Sequence, residues 1–254
     1  MAEFRTNPAK RKLDAGGVVT LVMGDYSPDM VEFLGQFGID SILGEQEHFT
    51  TSWQDIANLS RACDLWDMMC MVRINSIDVG SITRALDCGA NGIMVPHVNT
   101  ADEARLIANA ARYGPLGNRG QFGGRRSFGV QDYHRQANEN VMTSILIEDI
   151  VAIRNLPQIL EVDGIDVFYV APGDLAQSMG LTGQIDHPDV VEAVDGAVKQ
   201  IVARGRVAGA LVNDSNIERT LDQGVRFVGT SWSGWLAAGA RAFVGRVQAH
   251  GASR

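Results

Sequence analysis

The chain has 254 residues, 45% of them hydrophobic and 28 of them glycine, which suits one large globular domain or two small ones. A formal charge of −8 and a pI near 5.1 argue against nucleic acid or an anionic membrane as a partner. No stretch approaches the roughly 20 apolar residues of a membrane span, and the polar N-terminus lacks the apolar core of a signal peptide. Three cysteines, Cys63, Cys70 and Cys88, have neither metal-finger spacing nor the even count of a disulfide framework, so a reduced, cytoplasmic setting is expected.

Residues 1–16 form a polar N-terminal extension or helix. An apolar run at 18–23 follows, and then Ser27-Pro28 supplies a helix cap and a first-turn proline ahead of Met30, Phe33, Leu34 and Phe37. Further apolar runs lie at 40–43, 68–74, 92–98, 143–148, 167–170, 207–212 and 226–230. Most are continuous rather than alternating, the mark of strands covered on both faces. Helical patterns fill the intervals, at 52–66, 76–88, 104–113, 150–162, 188–204, 214–223 and 232–248. Thr100-Ala-Asp-Glu103 is a capping box, and Pro157 should kink or break its helix. Eight strand–helix units in roughly 230 residues match a (β/α)8 TIM barrel, an α/β fold, as a single domain over 1–254. A doubly wound sheet is the alternative, but no Gly-x-Gly-x-x-Gly follows the first strand.

One connection breaks the rhythm. Residues 114–142 are dense in glycine and carry Arg119, Arg125 and Arg126 in an otherwise acidic chain. Loops this long are usually functional or disordered. Glycine with arginine suits backbone approach to a carboxylate or phosphate, so an anion-binding or lid role beside the active site is expected, against a solvated loop with scattered charge.

Active sites of such barrels collect at the C-terminal strand ends. Those ends hold Glu45, Glu47 and His48, then Arg73, His97, Glu148 and Asp174. Glu148 and Asp174 are one strand–helix repeat apart and should project from neighbouring strands about 5 Å apart. Two carboxylates that close need a proton or a cation between them, and this pair suits Mg²⁺ or Mn²⁺. Zinc would recruit histidines, and none is expected beside the pair. Alternatives stay open. Asp174 follows Ala171-Pro-Gly and could cap a helix, Glu148 could pair with Arg73, and His48 could be a polar loop residue. Arg73, inside an apolar run, needs a partner from the protein or the substrate.

The motifs Gln46-Glu47-His48, Val72-Arg73, Leu86-Asp87-Cys-Gly-Ala90, Ile93-Met-Val-Pro96, Arg112-Tyr-Gly-Pro115, Gly117-Asn-Arg-Gly120, Ile147-Glu148 and Ala171-Pro-Gly-Asp-Leu175 occur in that order. Together, over about residues 15–245, the chain resembles the HpcH/HpaI aldolases, class II metal-dependent pyruvate aldolases that cleave 4-hydroxy-2-oxo acids. The resemblance implies that Glu148 and Asp174 hold a divalent metal ion, Mg²⁺, Mn²⁺ or Co²⁺. It implies that Arg73 contacts the keto oxygen and stabilises an enolate, and that His48, oriented by Glu45, removes the 4-hydroxyl proton. Backbone N–H groups near Gly173 and Asp174 would cradle the substrate carboxylate. Arg119 and Leu146 would face substrate. Asp87 matches a functional position, yet it ends a helix at the N-terminal face, so it would act across a subunit interface or serve as a helix-terminal ion pair. A homohexamer built from dimers is implied, with the last helix packing on a neighbour. No lysine lies between Lys12 and Lys199, which leaves no Schiff-base route.

The chain departs from the family pattern where an aspartate is usual and Glu45 stands, where Phe49-Thr50 follows His48, and where Leu146 replaces a common glutamine. These changes favour altered specificity. The leading expectation is an aldehyde-lyase releasing pyruvate and an aldehyde. A lyase of bulkier or aromatic hydroxy-ketones and a non-catalytic oxo-acid-binding barrel are the alternatives.

Overall fold

The computed structural model describes residues 2–251. In chain order the elements are α1 (Pro8–Asp14), β1 (Val19–Met23), α2 (Pro28–Gly35), β2 (Ser41–Glu45), α3 (Trp53–Leu65), β3 (Met69–Arg73), α4 (Val79–Asp87), β4 (Gly92–Val95) and α5 (Ala101–Ala110). They continue with α6 (Tyr133–Asn140), β5 (Met142–Ile147), α7 (Ile150–Ile159), β6 (Val167–Val170), α8 (Pro172–Ser178), α9 (Pro188–Ala203), β7 (Ala208–Leu211), α10 (Ile217–Asp222), β8 (Phe227–Ser231) and α11 (Trp232–Gly251). All eight strands are parallel and close into a barrel through β1 and β8. The (β/α)8 fold is therefore as expected.

The continuous apolar runs divide cleanly by face. Outward residues such as Ile42, Val72, Ile93, Ile145 and Phe168 pack under the helices. Inward residues, including Leu21, Leu43, Met71, Met94, Leu146, Tyr169 and Phe227, fill the barrel. Polar caps set the helix starts: Ser27, Asp78 and Thr100 each accept a backbone N–H from the first turn. The N-terminal end of the barrel is stoppered by α1, whose Ala9 and Leu13 join the inward cluster. Asn7 there donates to Asn91 O at 2.9 Å.

One local expectation is narrowed and one fails. α7 continues past Pro157 to Ile159 rather than breaking; the proline falls in the last turn, where the helix is about to end anyway. Residues 114–142 contain a helix, α6, where loop was expected. The same segment folds onto the N-terminal end of its own barrel. Arg125 and Arg126 reach Asp64 at 2.8 and 2.9 Å, and Arg119 reaches Asp87 at 2.6 Å. Gly124 is required by this approach, since a Cβ there would lie 2.2 Å from Asp87 O.

Candidate active site

The C-terminal strand ends bring together Glu45, Glu47, His48, Arg73, His97 and Glu148. Glu45 and Arg73 are register partners on β2 and β3. One Glu45 oxygen accepts from Arg73 Nε at 2.6 Å and lies 2.5 Å from its Nη2. The other accepts the backbone N–H of Glu47 at 2.7 Å and of His48 at 3.3 Å. Glu45 therefore shapes the turn after β2 through the backbone; its contact with His48 is to the main chain, not the ring. The extra methylene relative to aspartate is used to span this turn and Arg73 at once.

Arg73 also lies 3.2 Å from Glu47 Oε2. Burial works against its charge, but Glu45, Glu47 and Glu148 outweigh that and hold its pKa above the ordinary arginine value. His48 is 58% exposed at the side chain, with Nε2 3.7 Å from Glu47 Oε2. Glu47 thus sits between the guanidinium and an imidazole.

Glu148 is 1% exposed. Its Oε1 accepts the backbone N–H of His97 at 2.8 Å, while Oε2 is buried with no hydrogen-bond partner among the described residues. Burial pushes its pKa up to about 7; the His97 N–H and the His97 ring oppose this, and Asp174 and Glu47 add to it. Asp174 lies in the first turn of α8, where Ala171 occupies the cap position and no side chain caps. The cap alternative for Asp174 therefore does not hold, and its carboxylate makes no hydrogen bond or ion pair with another described residue. Gly173 is exposed, and a Cβ on it would meet nothing within 4 Å.

A buried, unpartnered carboxylate oxygen with a second carboxylate in its field fits a cation, and this is the test the residues pass for a divalent metal ion. Among the described residues no three His, Cys, Asp or Glu side chains converge tightly enough to hold an ion alone.

Sequence reasoning missed one neighbour. It placed no histidine beside the carboxylate pair, yet His97 Nδ1 lies 3.6 Å from Glu148 Oε1 and 3.0 Å from Asp149 Oδ2. Its position after the fourth strand was visible, but its approach depends on a left-handed residue, φ 54° at His97. Leu146 is buried inside the barrel, across from Tyr169 on β6. Asp87 and Arg119, paired with each other, stand at the N-terminal end and do not reach Glu148 within one chain.

Known proteins share this arrangement of strands and helices. A sequence profile described as HpcH/HpaI aldolase/citrate lyase matches residues 20–240. The chain is 34% identical over 234 residues to a 2-keto-3-deoxy-L-rhamnonate aldolase of Klebsiella pneumoniae, covering 90% of this chain and 88% of that protein. It is 33% identical to a hydroxypyruvate/pyruvate aldolase of Cupriavidus necator, over 93% and 88% of the two chains. A solved structure of an HpcH/HpaI aldolase/citrate lyase family protein from Burkholderia cenocepacia superposes with a TM-score of 0.87 at 27% identity, covering 96% of this chain and 100% of that one. The profile match and these identities place the chain in the HpcH/HpaI aldolase/citrate lyase family.

Proposed function

We propose that this protein is a divalent-metal-dependent lyase that cleaves a 4-hydroxy-2-oxo acid to pyruvate and an aldehyde. The observation that carries the reading is the unpartnered Glu148 Oε2 beside Asp174, with Arg73 locked alongside by Glu45. Glu148 and Asp174 would hold Mg²⁺, Mn²⁺ or Co²⁺. When bound, the ion supplies Lewis-acid polarisation of the keto group.

The chain's own residues do the rest. Arg73, held along its Nε–Nη2 edge by Glu45 and Glu47, presents its remaining donors to the oxygen that gains charge as the carbon–carbon bond breaks. The free first-turn N–H groups of Gly173 and Asp174 face the substrate carboxylate. His48 accepts the 4-hydroxyl proton, and Glu47 beside it stabilises the imidazolium that results. Leu146 lines the floor as apolar surface.

Two finer points follow from the same reading. Asp87 and Arg119 serve a neighbouring subunit's site across an interface. The interface involves α11, which exposes Leu236, Phe243 and Val247 and flanks an apolar groove of about 670 Å³ lined by Phe33, Phe37 and Trp235. A second copy of this chain covers that surface in a homo-oligomer, a homohexamer built from dimers. A reduced, cytoplasmic setting suits the free thiols of Cys63, Cys70 and Cys88.

The test is pyruvate release from a panel of 4-hydroxy-2-oxo acids. Activity should vanish with chelator, return with Mg²⁺, Mn²⁺ or Co²⁺, and be absent in Glu148→Gln. Full activity in that variant would refute the ligand assignment. Pyruvate binding without turnover of any acid would make the protein a binding barrel instead.

A further inference from the structure

His97 is held from several sides. Its left-handed backbone is unusual for a residue with a side chain, and the N–H it turns inward is fixed on Glu148. Asp149 Oδ2 lies 3.0 Å from the ring Nδ1. Asn99 Nδ2 holds both that oxygen, at 3.2 Å, and the His97 carbonyl, at 3.1 Å. Asn99 is itself anchored by Asn155, which donates to its carbonyl at 2.8 Å.

A carboxylate on Nδ1 fixes the plane of the ring and leaves Nε2 as its outward-facing polar atom. Among the described residues Nε2 makes no hydrogen bond, and Glu47 Oε1 stands off at 3.7 Å. His48 has no comparable partner on its ring, so His97 is the better oriented of the two histidines at the barrel mouth.

Depth decides which part of a substrate His97 meets. Glu148 is 1% exposed, whereas the His97 side chain is 51% exposed. On the lyase reading above, on which this inference rests, the oxo-acid end lies deep, against Glu148 and Arg73. The fragment released as aldehyde points outward, past β4. We propose that His97, oriented by Asp149, is a specificity-determining residue whose Nε2 forms a hydrogen bond with a hydroxyl on the aldehyde fragment. The preferred aldehydes are then hydroxy-aldehydes rather than alkyl aldehydes. Leu146 on the floor offers no competing polar contact.

The experiment measures pyruvate addition to glycolaldehyde and to propanal by the metal-loaded protein, comparing kcat/KM for the two. Wild-type turnover of either aldehyde establishes the lyase reading; no turnover of either overturns that reading and this inference with it. In His97→Asn, which tolerates the left-handed backbone but is too short to reach, the glycolaldehyde-to-propanal ratio should fall about tenfold or more. Asp149→Asn, which keeps the imidazole but weakens the contact that orients it, should lower the same ratio by a smaller factor. His97→Gln, able to offer a hydrogen-bonding amide at similar reach, should restore part of it. An unchanged ratio in His97→Asn overturns the assignment. So does equal loss with both aldehydes, because that is the signature of a residue acting on the bond-breaking step or on Glu148.

Discussion

Glu148 gives one oxygen to the backbone of His97 at 2.8 Å and keeps the other buried and unpaired. The first contact fixes the carboxylate, and the second leaves it with something to bind. A carboxyl raised from 4.5 to about 7 by burial holds a proton in the folded protein where the unfolded chain has lost it. The metal-free fold therefore loses stability as pH rises across that interval. A divalent ion competes with the same proton, so Mn²⁺ affinity should fall as pH drops below about 7, by up to about tenfold per pH unit. Calorimetric Mn²⁺ titrations between about pH 5.5 and 8 check this. A flat profile would remove Glu148 from the ligand set.

Arg73 is the group whose geometry is most tightly specified. Its Nε and Nη2 engage one Glu45 oxygen, and Glu47 takes the Nε edge as well. Lysine keeps the charge but not this fork. Arg73→Lys should leave the barrel folded and lower kcat by roughly 10²–10³-fold, the cost of losing one oriented donor at a developing oxyanion. Glu45→Gln should also destabilise the fold, by about 3–5 kcal/mol at most, since it leaves a largely buried guanidinium short of a counter-charge. A loss of stability in Arg73→Lys equal to that in Glu45→Gln would mean that Arg73 is chiefly structural.

The pairing of Asp87 with Arg119 at the N-terminal end has a consequence for assembly. If Asp87 serves a neighbour's site, Asp87→Ala and Glu148→Gln damage sites from opposite sides of one interface. Each variant alone should be nearly inactive, and a mixture refolded together should recover activity above either parent, because some interfaces then pair intact residues. Leu236→Glu, on the exposed apolar face of α11, should lower the mass seen by light scattering and abolish this recovery. No recovery from mixed oligomers would confine Asp87 to a structural ion pair.

The barrel was legible in the sequence because its strands are continuous apolar runs and its helices carry explicit caps such as Ser27 and Thr100. Glu148, Asp174 and Arg73 were legible for a related reason: strand ends follow from strand positions. His97 was visible as a strand-end residue but was not placed beside the carboxylate pair, because a single left-handed residue turns it toward Glu148 and leaves no periodic trace. The arginine-rich segment was recognisable as unusual, but which end of the barrel it covers depends on Asp64 and Asp87, the acidic residues near the ends of α3 and α4. Counter-ions that distant in sequence cannot be paired by spacing alone.

Leu146 and Tyr169 face each other across β5 and β6 inside the barrel. The Tyr169 hydroxyl is buried without a partner among the described residues, and Gly229 leaves room for it, since a Cβ there would come within 2.3 Å of the oxygen. Burial raises the phenol's pKa, partly offset by Arg73, so it stays protonated. An unsatisfied buried hydroxyl costs about 1–3 kcal/mol, and removing it should return part of that. Tyr169→Phe should therefore raise the melting temperature by roughly 2–4 °C for each kcal/mol regained. Leu146→Gln should gain stability in the Tyr169 background and lose it in Tyr169→Phe, because an amide at 146 pairs only with the hydroxyl. Differential scanning calorimetry of the four proteins closes the cycle. A Tyr169→Phe variant less stable than wild type would show that the hydroxyl has a partner in solution, which makes the barrel floor polar rather than apolar.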